Sequence, residues 1–244
     1  MCCASSPDSP ALPETAIARA GDKLTASEPR GGSLAVFDLD GTITRFDTLL
    51  PFVLRCLAYW PARLPRLLLV LPALMRFLLT RDHGALKAAF MHRTIAGLHR
   101  ESLQEQAQRF IKWLLRRGVY QQALQAIEGH RARGDRLLLM SASPDLYVPQ
   151  LAAALGFDQV ICTPVRWRAD GTLDGRLAGE NCRGHEKQRQ LSALIERQRP
   201  AHVYAYGNSR SDLWHLRLAQ QGYLVNSRAS LQGSPGVQRL RWRS

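Results

Sequence analysis

The chain has 244 residues, 45% of them hydrophobic, with 33 Lys or Arg against 20 Asp or Glu and a formal net charge of +13. That length and composition fit a soluble globular chain of one or two domains, and the basic excess favours polyanionic partners: anionic membrane, phosphorylated substrates or nucleic acid. Nucleic acid is set aside because no zinc-finger, RNP-like or helix-turn-helix signature occurs, and a disulfide scaffold is set aside because the five cysteines show no CxxC pair or framework spacing.

Residues 1–32 are rich in Ala, Ser, Pro and Gly and lack a basic start followed by an apolar centre. They are expected to form a disordered tail rather than a secretory signal, on a cytoplasmic protein. From Ser33 onward, strand-like runs at 33–40, 135–143, 157–165, 201–208 and 222–227 alternate with helix-like stretches. This alternation predicts an α/β fold with a parallel sheet covered on both faces. Residues 163–181 read as a hairpin turning at Asp170–Gly171.

Residues 47–129 interrupt the rhythm. Candidate helices near 48–60, 64–80, 84–97, 101–117 and 119–132 predict an all-helical cap inserted after the first strand, over the carboxyl edge of the sheet, where open α/β sheets bind ligands. The core would then comprise 33–46 and 130–244. Lys87 and Lys112 read as solvated helix residues. Within the cap, RLPRLLLVLPALMRFLL (63–79) is apolar nearly all round. Three readings stay open for it: a buried helix, an interfacial helix on a membrane, or a membrane span. From Arg45 to Arg100 there are nine Lys or Arg residues against Asp47 and Asp82, a net of +7. Apolar and basic residues interleaved in this way favour peripheral contact with an anionic membrane.

The run AVFDLDGTIT (35–44) places Asp38 and Asp40 at the end of an apolar strand, with Gly41 turning the chain after them. Paired carboxylates there repel one another unless a cation sits beside them. With a divalent cation held by oxygen ligands, one carboxylate could attack phosphorus while the other handles a proton. Downstream, Ser141 ends the second strand, Lys187 opens a helix after GHE, and GNSRSD (207–212) ends the fourth strand. No histidine shows ligand spacing such as HExxH.

These four sites, in this order, resemble the haloacid-dehalogenase-type phosphohydrolases. The cap position resembles their phosphoserine-phosphatase-like branch, subfamily IB, with a helical cap on a Rossmann-like core. The resemblance implies Asp38 as a nucleophile forming an aspartyl-phosphate and Asp40 as general acid and base, oriented by Thr42. It also implies Ser141 on the phosphoryl group and Lys187 neutralising charge. Mg²⁺ would be held by Asp38, Asp40, Asn208 and Asp212, and the substrate by Asp47, Arg93, Ala142 and Ser143. Asp47 serves equally well as a cap on the first cap helix. The family commonly carries Asp where Asn208 stands, which removes a negative charge from the metal site. GENCRGHEKQRQL (179–191) and the apolar cap segment are similar to bacterial phosphatidylglycerophosphatases of the C type. The expected substrate is therefore a phosphomonoester, with a lipid phosphate at an anionic membrane surface first. The alternatives are a soluble phosphoserine- or histidinol-phosphate-like compound, or a weakly active pseudo-phosphatase that binds anionic membranes.

Overall fold

The computed structural model describes residues 32–243. Except for Gly32, the expected tail lies outside the described residues. Strand β1 (Leu34–Phe37) is fully buried and lies between β2 (Arg136–Pro144) and β6 (Val203–Gly207). The sheet runs β3-β2-β1-β6-β7-β8, all parallel, with β3 at Gln159–Thr163, β7 at Gln221–Val225 and β8 at Val237–Leu240. Because side chains alternate along a strand, Ala35 and Phe37 join one apolar cluster while Leu34 and Val36 join another. The first cluster takes in α5 (Gln121–Ala132) and α6 (Val148–Ala154); the second takes in α7 (His185–Gln198) and α8 (Leu213–Leu216). Both faces are thus covered, as a parallel sheet requires. β8 has no strand pattern in the sequence, because only Val237 is buried and Gln238 and Arg239 face solvent.

Between β1 and α5 lie α1 (Leu49–Tyr59), a 3₁₀ segment (Pro61–Val70), α2 (Leu71–Thr80), α3 (His83–Thr94) and α4 (Arg100–Arg117). The boundary drawn at 129/130 falls inside α5, which packs on β2. Pro65 has no N–H to donate, so the chain there winds as 3₁₀ helix, and Pro72 sits in the first turn of a new helix, where a missing donor is tolerated. One helix over 64–80 is therefore replaced by two segments. The buried-helix reading of 63–79 is overturned, since neither segment contains a buried residue. The membrane-span reading also fails: among the described residues no helix is long and apolar enough to cross a membrane.

The hairpin forms as β4 (Val165–Trp167) and β5 (Leu173–Leu177). Its turn holds Gly171 at φ +76°, with Asp170 accepting from the Thr172 N–H at 2.9 Å and hydroxyl at 2.7 Å. It docks away from the main sheet, where Leu173 exchanges backbone hydrogen bonds with Gly97 and Leu98 at 2.8 and 2.9 Å. Gly175 packs so tightly that a Cβ there would lie 2.4 Å from the His92 Cα.

Candidate active site

The order of strands reverses about β1, and the crevice at the carboxyl ends of β1 and β6 is the expected ligand position in such a sheet. Asp38 extends the ladder by one bond, its N–H donating to Tyr206 O at 2.9 Å. The chain then closes a tight loop over Leu39–Ile43, fixed by Thr44 N–H on Leu39 O at 2.9 Å and by Gly41 at φ +76°. A Cβ on Gly41 would meet the Asn208 amide at 2.0 Å, so a side chain is barred both by the backbone angle and by the β6 tip opposite.

Asp38 is 5% exposed. Lys187 Nζ, at the start of α7, donates to Asp38 Oδ1 at 2.5 Å and to Asp212 Oδ1 at 2.9 Å. Thr42 Oγ1 donates to the other Asp38 oxygen at 2.8 Å. Thr42 therefore orients Asp38, which corrects the expectation that it orients Asp40: the tight loop aims the hydroxyl back along the chain. Asp40 is held instead by Thr48, through its N–H at 2.8 Å and hydroxyl at 2.6 Å, and by the Ser143 hydroxyl at 2.6 Å. Thr48 in turn bonds the Tyr147 hydroxyl at 2.8 Å.

Burial pushes Asp38 up to about 7, against the pull of Lys187 and with the repulsion of Asp212 and Asp40. Burial also raises Asp40, reinforced by Asp47 and opposed by the Ser143 and Thr48 hydrogen bonds. Burial acts upward on Asp212 too, but Lys187, His215 and Ser209 overcome it and hold that carboxyl well below the usual range. Asp212 Oδ2 accepts from the Ser209 N–H and hydroxyl at 3.0 and 2.6 Å. Burial alone would lower Lys187; Asp212 and Asp38 more than reverse it. Burial thus raises Asp38 and Asp40, while Asp212 is drawn down by its cationic and hydroxyl partners.

A cavity of ≈ 740 Å³ opens on these groups. Asp38, Asp40, Asp47, Ala142, Ser143, Lys187, Asn208 and Asp212 line it. Asp47 also accepts from the Leu49 N–H at 3.0 Å just before α1, whose N-cap position is held by Thr48. Ser141 is fully buried behind the wall, its hydroxyl accepting from the Ser143 N–H at 3.0 Å. Arg93 is not brought to the cavity: its guanidinium donates to Leu69 O at 2.6 Å and borders a separate groove between α2 and α3.

Lys87 was read as solvated and is instead half-buried in the cavity wall, donating to Ala142 O and to Asn181 Oδ1, the latter at 2.8 Å. Burial lowers it to about 8, partly offset by Asp40 and Asp47. Arg45 and Arg183 share that wall. Sequence reasoning missed the site roles of Lys87, Thr48 and Tyr147, none of which stands in a motif of its own, and that of Asn181, which stands within GENCRGHEKQRQL (179–191).

The donors gathered at the strand tips fit a hard divalent cation. Asp38, Asp212 and the Asn208 amide offer oxygen, and among the described residues no group of three His, Cys, Asp or Glu side chains is assembled to hold a metal by itself. Mg²⁺ is bound that way, by one or two carboxylates with water and substrate phosphate completing the shell. Asp38 and Asp212 share Lys187, and burial raises Asp38 with smaller upward pushes from Asp212 and Asp40.

This fold and site define a hydrolase class. The family described as haloacid dehalogenase-like hydrolase matches residues 35–217, and the chain belongs to that family. Protein CicA of Caulobacter vibrioides is 32% identical over 210 residues, covering 83% of this chain and 93% of that protein. A histidinol-phosphatase of Neisseria meningitidis is 26% identical over 214 residues, covering 82% and 93%. A Bordetella pertussis protein of unknown function shares the fold at TM-score 0.71 and 22% identity, covering 86% of this chain and 98% of that one. The expected family, its hydrolytic class and its parallel sheet with added helices are met.

Proposed function

We propose that the chain is a Mg²⁺-dependent phosphomonoesterase working through an aspartyl-phosphate on Asp38. The observation that carries this reading is the Lys187 ammonium shared between Asp38 and Asp212 at the tip of β1. Thr42 and Lys187 fix the Asp38 carboxylate for attack on phosphorus. As the phosphorus–oxygen bond to the alcohol breaks, Asp40 gives the leaving oxygen its proton. Asp40 then takes a proton from water, whose oxygen attacks the phosphoryl group, releasing phosphate and restoring Asp38. The raised Asp40 carboxyl suits a group that must be protonated in the first half and basic in the second. Asp38, the Asp40 carbonyl, Asn208 and Asp212 would hold Mg²⁺, which supplies charge neutralisation to the transferring phosphoryl group.

The substrate we propose is a lipid phosphate such as phosphatidylglycerophosphate, met at an anionic membrane surface. Leu49, Leu50, Val70, Leu74, Leu86 and Phe90 give the cavity an apolar wall, facing the basic one. A soluble phosphomonoester is the second reading, supported by the histidinol-phosphatase relative and by Asp47, a cavity-lining acid that would suit a substrate amine.

Hydrolysis of p-nitrophenyl phosphate should require Mg²⁺ and fall by about 10³-fold or more in Asp38→Asn, because the nucleophile is gone. Equal turnover in that variant would refute the mechanism. A panel of soluble phosphomonoesters against vesicle-borne phosphatidylglycerophosphate separates the two substrates.

A further inference from the structure

Residues 61–80 touch the rest of the molecule along one narrow stripe. Arg63, Leu67, Val70, Ala73 and Phe77 are half-buried, at helical spacing, and the remaining positions are exposed. The outward faces carry Leu68 (69% exposed), Leu69, Leu71, Met75, Leu78 and Leu79 (87% exposed). A helix that is apolar all round normally lies in a core or in lipid. Here no core covers it among the described residues.

Charge decides what does. From Thr48 to Arg81 the chain has five arginines and no Asp or Glu. A second copy would set these arginines against their own kind, with no acid in the segment to answer them. An anionic bilayer answers both features, taking the leucines into the acyl boundary and the guanidinium groups to its headgroups. Two segments of ten residues each are too short to span and suit lying in the interface. The same element reaches the chemistry, since Val70 and Leu74 line the cavity that holds Asp38.

We propose that this arm, the 3₁₀ segment with α2, lies in the interface of an anionic bilayer and forms the lip over which a substrate's apolar tail passes to Asp38. The second part rests on the phosphomonoesterase reading; the docking does not.

The test uses the full chain with vesicles of phosphatidylglycerol and phosphatidylcholine, or of phosphatidylcholine alone, and the double variant Leu68→Asp, Leu79→Asp. Neither residue lines the cavity. Wild type should sediment with the anionic vesicles, about tenfold or more weakly with neutral ones, and less at high salt. The double variant should lose anionic-vesicle binding by about tenfold or more while hydrolysing p-nitrophenyl phosphate at the wild-type rate, which also reports that it is folded. It should lose turnover of vesicle-borne phosphatidylglycerophosphate. Arg66→Glu with Arg76→Glu should abolish the preference for anionic vesicles. Wild type that ignores the vesicles, or a double variant that binds them equally, overturns the proposal. So does a wild-type dimer that the double variant dissociates, with no vesicle binding by either. Sedimentation is read without turnover, so failure of the hydrolytic reading appears separately, as absent p-nitrophenyl phosphate hydrolysis.

Discussion

Lys87 lines the cavity that holds Asp38 and Asp40, and burial brings it from its ordinary 10.5 to about 8. Above that pH the ammonium is lost, so kcat/KM for an anionic substrate should fall about tenfold per pH unit there. Lys87→Arg, which stays charged, should remove that falling limb. The same limb persisting in the arginine variant would assign it to another group. The sign for stability is opposite. The folded state holds fewer protons on Lys87 than the unfolded chain between about 8 and 10.5, so the penalty that burying its charge places on folding is relieved as pH rises through that window. Legibility in the sequence divides along the same line at this scale. Asp38 and Asp40 stand out because carboxylates violate the rules of a buried strand, and Lys187 because it opens a helix directly after a loop. Thr48, Tyr147 and Lys87 follow every local rule, and only tertiary packing brings them to Asp40 and Asn181. Arg93 failed for the complementary reason. Its helix was correct, but the direction of its side chain depends on where 61–80 folds back, and that is set by Leu69 O accepting its guanidinium.

The β4–β5 hairpin was legible as an element but not as a neighbour. Its turn chemistry is local, Asp170 and Gly171, whereas its docking on α3 depends on Gly175 at φ +88° against the His92 backbone. Gly175→Ala should therefore cost about 2–4 kcal/mol through backbone strain and overpacking, lowering Tm by about 5–15 °C. Gly171→Ala is the matched control. It shares a positive φ, +76°, but a Cβ there meets nothing within 4 Å, so only the strain remains and the drop should be smaller. Equal Tm changes in the two variants would mean that the contact with α3 contributes nothing. The apolar run 63–79 shows the limit of pattern reading. Periodicity reports that a face is apolar, and only the structure reports that no residue of 61–80 is buried among the described residues.

At the scale of the molecule, the helices over the site and the sheet beneath it share one apolar cluster. Phe37 of β1, Phe52 of α1, Phe110 of α4 and Leu173 of β5 all belong to it. Phe52 and Phe110 pack on Tyr147, with ring centroids 4.7 and 5.4 Å away, and the Tyr147 hydroxyl meets Thr48 beside Asp40. Buried aromatic rings thus join the helices to the core, and swinging α1 and α4 away would expose them to water. The helical block and the core should consequently unfold together. In hydrogen exchange under increasing denaturant, amides of β1 and α4 should converge on one opening free energy, that of global unfolding. Amides of α2 should exchange by much smaller openings, because no residue of that helix is buried. Adding anionic vesicles should slow exchange in α2 and leave β1 unchanged. If α4 instead opens at lower denaturant than β1, the cap is a separate unit that can lift from the core, and entry to Asp38 need not pass by the arm at all.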